Sequence, residues 1–110
     1  MIKIDNKNIQ IYCNNSSHKE LPVVILNTYG NEGQDVFSKC TYLKSKEFIL
    51  VAISNLNWND DMTPWFAPKL NKRDVDCLGK ADDYIAQLIN QIIPQVEEYI
   101  KSHLKIKIEY

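Results

Sequence analysis

Glycine is scarce in this 110-residue chain, with Gly30, Gly33 and Gly79 the only three. None of them brackets a serine, so the Gly-x-Ser-x-Gly turn that seats a hydrolase nucleophile is missing. The same scarcity removes the Gly-x-x-x-x-Gly-Lys phosphate loop and the Gly-x-Gly-x-x-Gly dinucleotide turn. Cysteine is equally sparse. Cys13, Cys40 and Cys77 are odd in number, widely spaced and without a Cys-x-x-Cys pair, so neither a zinc site nor a disulfide framework is expected. Cys40 lies at helical spacing from Val36, Phe37 and Leu43 and reads as a buried thiol. There is no excess of either charge. Thirteen Lys and Arg against 14 Asp and Glu leave a net charge of -1, which gives no electrostatic reason to expect nucleic acid or a membrane as partner. No apolar run approaches the ~20 residues needed to cross a bilayer, and Met1–Lys7 has no signal-peptide core. A cytoplasmic chain with no metal and no cofactor is expected.

The composition, 45% hydrophobic and 25% charged, is that of an ordinary globular domain. Ile2/Ile4 and Ile9/Ile11/Cys13 alternate on either side of Asp5-Asn-Lys-Asn8, which predicts a hairpin or two short strands at a sheet edge. Asn14–Glu20 is polar and reads as a loop that includes His18, and the Asn-x-Ser patterns at Asn14 and Asn15 carry no meaning without secretion. Val23-Val-Ile-Leu26 and Phe48-Ile-Leu-Val-Ala-Ile53 are continuous apolar runs, the mark of strands covered on both faces. Between them Asp35 can cap a helix near 35–45. Strand, helix and strand at this spacing form a right-handed crossover. The expected fold class is therefore α/β, a three-layer sandwich with a mostly parallel sheet.

Ser54–Lys80 shows no periodicity but holds two tryptophans and two prolines, and a long connection of this kind is often functional. Asp82–His103 repeats apolar residues at the helical period, with Pro94 bending it. Lys105-Ile-Lys-Ile-Glu-Tyr110 alternates like the beginning of a strand. A strand–helix fold rarely stops at such a point, so 1–110 reads as a single partial domain, a fragment or naturally shortened copy of a larger enzyme.

Two motifs go further. The first strand run enters Asn27-Thr-Tyr-Gly-Asn31, a glycine turn. Trp58-Asn-Asp-Asp-Met-Thr-Pro-Trp65 and Phe66-Ala-Pro68 precede a helix containing Ile92-Ile-Pro94. From about Leu21 to Tyr110 this ordered set resembles the esterase family of the α/β-hydrolase fold that includes the enterochelin-esterase-like serine esterases. The resemblance implies the N-terminal half of an α/β-hydrolase domain, ending before the nucleophile elbow. By that resemblance Tyr29, Gly30 and Asn31 border the oxyanion hole through backbone amides. Trp58, Asp60, Asp61, Thr63 and Trp65 brace the loop near the active-site mouth. The serine, acid and histidine of the triad would all follow residue 110, so no catalytic residue is assigned. His103 precedes the nucleophile's place and cannot be the base.

The leading expectation is thus the N-terminal part of a serine esterase acting on a small-molecule ester in the complete protein, and inactive alone. The alternative is a freestanding non-catalytic α/β module acting by binding or self-association. Either way an unpaired strand edge invites another chain, so a homo-oligomer through the 104–110 strand edge is expected.

Overall fold

The computed structural model describes residues 2–14, 20–44, 46–72 and 75–110. The expected loop through His18 and Asn15, and Ser45 at the end of the predicted helix, lie outside the described residues. The chain divides into two compact units, one made of Met1–Leu56 and Val96–Tyr110, the other of Asn57–Gln95.

In the first unit, β1 (Ile2–Ile4) and β2 (Lys7–Tyr12) form a hairpin around Asp5, whose φ of 53° is tolerated by a short polar side chain. β3 (Val23–Asn27), α1 (Glu32–Tyr42) and β4 (Ile49–Ser54) form the crossover. The sheet order is β1-β2-β4-β3. β3 runs parallel to β4, pairing Val23 with Ile49 and Asn27 with Ile53, whereas β1–β2 and β2–β4 are antiparallel.

This overturns the mostly parallel three-layer sandwich. Among the described strands only β3 and β4 form a parallel pair, joined by the α1 crossover that such a pair needs. As expected, the N-terminal hairpin stands at one end of the sheet, with β1 outermost and β2 directly beside β4, Ile9 opposite Ile53. β4 is therefore central, with Ile49 to Ile53 no more than 2% exposed and only Ser54 half-buried. β3 is not covered on both faces as its composition suggested. Val24 is 45% and Ile25 36% exposed.

Helix α1 starts three residues before Asp35. Asn31 stands at the N-cap without a side-chain cap bond, and Glu32 and Asp35 place negative charge in the first turn. Of the expected apolar face, Leu43 is 75% exposed and Cys40 only half-buried. The contact is made elsewhere. A Cβ at Gly33 would lie 2.5 Å from the Cβ of Ala52, so the helix seats its backbone on β4 where only glycine fits. Phe37 stacks on Tyr12 and meets Phe48 edge-on, each at 5.8 Å.

The 104–110 stretch is not left without partners. Leu21 donates its N–H to the carbonyl of Lys107 (2.9 Å) and accepts the N–H of Glu109 (2.8 Å), a parallel bridge opposite Ile108. Leu21, Ile106 and Ile108 are buried.

The second unit holds α2 (Trp58–Asp61) and two short antiparallel strands, β5 (Phe66–Ala67) and β6 (Cys77–Leu78), inside the stretch read as structureless. The expected long helix appears as α3 (Ala81–Gln87), a π-helical turn (Leu88–Ile92), α4 (Ile93–Tyr99) and a second π-helical turn (Ile100–Leu104). Pro94 follows the first π turn, where the wider register accommodates the missing donor. Among the described residues no helix is long and apolar enough to cross a membrane.

Candidate functional site

The turn after β3 is fixed by Thr28, which is 2% exposed. Its N–H donates to the carbonyl of Ile53 at 2.8 Å, and its hydroxyl reaches the same carbonyl at 3.0 Å. β-Strand propensity carries Val23–Asn27 to this point, and the bond to the end of β4 stops the chain and turns it. Tyr29 then lies on the surface, 78% exposed, with Gly30 half-buried and Asn31 exposed.

The N–H of Tyr29 donates to a carboxylate oxygen of Glu32. That bond holds the Glu32 carboxyl below the usual glutamate range, with the amides of Glu32 and Gly30 acting in the same direction and desolvation opposing them. Backbone amides gathered around an anionic oxygen are the chemistry an oxyanion requires. Of the three expected residues, Tyr29 donates its amide to this carboxylate, while Asn31 serves as the N-cap of α1. Glu32 was missed by sequence reasoning. Its signal was a glutamate three residues beyond Tyr29, the spacing at which a side chain reaches back to a backbone amide at a helix start.

The second group of expected residues braces its loop. Asn57 caps α2: its side-chain oxygen accepts the N–H of Asp60 (3.3 Å), while its own N–H donates to Asp61 (3.0 Å). Asp60, 9% exposed, accepts the N–H of Leu78 at 2.9 Å and the side-chain amide of Asn57 at 2.8 Å. Thr63 accepts the N–H of Gly79 at 3.1 Å and donates to the carbonyl of Asn59 at 2.7 Å. Gly79 has a φ of +67°, and a Cβ there would come within 2.3 Å of the Trp65 backbone, so β6 closes on the loop only through glycine. Trp58 is half-buried and Trp65 72% exposed, so the two tryptophans do not act as a matched pair of anchors.

Nearby, burial and then the charge of Asp61 push the Tyr84 phenol up to about 12. Among the described residues no cluster of His, Cys, Asp and Glu could hold a metal ion. Asp60 and Asp61 spend their oxygens on backbone and side-chain amides instead.

No family model matches the chain, and no solved structure matches it. It is similar to the uncharacterized protein YbbA of Bacillus subtilis (strain 168), 38% identical over 52 residues, which are 47% of this chain and 21% of the relative. The chain therefore matches about a fifth of the length of that curated relative, whose description assigns it no activity.

Proposed function

We propose that this chain supplies the oxyanion side of a serine esterase, with the nucleophile, acid and histidine provided by residues beyond those of this sequence. In serine esterases the loop between the third strand and the first helix lends a backbone N–H to the developing oxyanion. Here the third strand is β3 and the helix is α1. The observation that carries the reading is the Tyr29 N–H, which already donates to a carboxylate oxygen in that loop. A tetrahedral intermediate would need the same amide, so Glu32 would have to yield it to substrate.

The coding region that follows residue 110 provides the test. A Gly-x-Ser-x-Gly within roughly twenty codons, between a strand and a helix, is the expected result. An immediate stop codon would overturn the proposal. The chain alone should not hydrolyse a nitrophenyl acetate above background.

One observation favours a second reading, self-association without catalysis. Val24 and Ile25 are exposed on β3, which ends the sheet. The strand has no lysine, internal proline or bulge of the kind that protects such an edge.

A further inference from the structure

One side of β3 is paired along its whole length, whereas the other finds a partner only just before the strand begins. The Pro22 carbonyl accepts the N–H of Ile49 at 2.9 Å, and the Thr28 N–H donates to Ile53 at 2.8 Å. The even-numbered residues of this stretch therefore turn their backbone groups to β4. By the same alternation Leu21, Val23 and Ile25 turn theirs outward. Leu21 has both groups bonded, its N–H to Lys107 and its carbonyl to Glu109, in a parallel bridge. Among the described residues nothing pairs with the outward groups of Val23 and Ile25, because β3 ends the sheet. Val24 and Ile25 stand opposite Leu50 and Val51 and so lie on opposite faces, and both are exposed. An apolar strand open along its edge and on both faces has the make-up of one from the inside of a sheet.

We propose that this edge docks one further strand of the complete protein, the residues directly after Tyr110, running parallel to β3. The bridge sets both direction and register. With Leu21 opposite Ile108, a step of two places Val23 opposite Tyr110 and Ile25 opposite the second residue after it. The Glu109 carbonyl then accepts the Val23 N–H. The first residue after Tyr110 donates to the Val23 carbonyl and accepts from Ile25. The first two residues after Tyr110 are apolar, one beside Val24 and the other beside Ile25 on the opposite face. Continuity selects this occupant over a second copy. Lys107 and Glu109 already lie on the edge, so the residues that follow reach Val23 without spanning a gap and at high effective concentration. A second copy can hold the edge of the 110-residue chain but is displaced from a longer one. The inference rests on the proposed function only in requiring that the chain continues past Tyr110.

Lengthening the chain by the next residues of its own coding region, about six of them, provides the test. Hydrogen exchange is read residue by residue at a dilution where sedimentation shows a monomer, so that no second copy supplies the bonds. Exchange at the Val23 and Ile25 amides should slow by about tenfold or more relative to residues 1–110. The Val24 amide, which faces β4, corrects for any change in overall stability. The first and third residues after Tyr110 should be protected, and Tyr110 and the second residue should not. Unchanged exchange at Val23 and Ile25 would overturn the proposal. So would protection that rises with protein concentration, which assigns the edge to a second copy. The opposite alternation after Tyr110 would refute the register. A stop codon directly after Tyr110 removes both this reading and the esterase. A continuing frame without the serine motif removes the esterase alone, and unprotected amides in a chain that carries the motif remove only this inference.

Discussion

The carboxylate of Asp60 accepts the backbone N–H of Leu78 at 2.9 Å, tying α2 to β6 across 18 residues of chain. The second unit has little regular structure between these points, so a single side chain stands in for a sheet neighbour. Asp60→Ala should destabilise this unit by about 1 kcal/mol, because the part-buried Leu78 N–H and the Asn57 side-chain amide both lose their acceptor. Asp60→Asn should cost less, since one acceptor oxygen remains. Hydrogen exchange at the Leu78 amide is the direct measurement, and unchanged protection in Asp60→Ala would contradict the assignment.

Glu32 offers a titration at the proposed oxyanion turn. Its carboxyl is held below the ordinary value of 4.5, first by the Tyr29 N–H. A group depressed in the folded state stabilises above its unfolded value, and that contribution is lost as pH falls through the folded one. The Tyr29 amide resonance should therefore shift as pH drops below 4.5, following the Glu32 carboxyl carbon. In Glu32→Gln the low-pH movement of Tyr29 should disappear. Persistence of that movement would assign it to another group.

Tyr84 acts at the opposite end of the pH scale. Its phenol is raised from 10.0 to about 12, so the unfolded chain releases the proton first. The Tyr84 contribution to stability should be constant below about pH 10 and fall between there and about 12, with a slope of at most ~1.4 kcal/mol per unit. Urea unfolding across that range, compared with Tyr84→Phe, isolates the effect. The variant should lack this part of the decline.

The exposed edge of β3 predicts a concentration-dependent assembly. Sedimentation at micromolar concentration should show a dimer or larger species, and Val24→Lys with Ile25→Lys should return it to monomer, because both side chains are already solvated on the free chain. A monomeric parent would refute self-association through this edge. Lysine at Ile106 and Ile108 has a different expected outcome from the one their alternation suggested. Both are buried beside Leu21, so these changes should unfold the first unit rather than separate subunits.

Hydrophobic pattern revealed β4 fully: its run of five apolar residues is buried on both faces. The same signal misled at β3, because hydropathy reports that a strand is apolar without reporting whether another strand lies beyond it. The alternation of Ile9 and Ile11 announced the hairpin that ends the sheet, and Ile9 is wholly buried because β2 takes the place beside β4. Helix α1 was placed late since its tightest contact is Gly33, which has no side chain to enter a periodicity. At the candidate site, Tyr29, Gly30, Asp60 and Thr63 were legible as polar or turn residues in an apolar setting. Glu32 and Asn57 were not, because a bond to a backbone amide a few residues away leaves no long-range pattern.

The bridge from Leu21 to Ile108 also sets a timetable for synthesis. Strands β1 to β4 are all made before residue 55, yet the backbone of Leu21 stays open until Lys107 and Glu109 have cleared the ribosome. During that interval the nascent chain presents an apolar strand with no cover on one side, the condition under which folding intermediates attract other chains. A ribosome paused within the second unit would hold the chain in that exposed state, so the rate of translation across residues 57–106 governs how often it is captured before it closes.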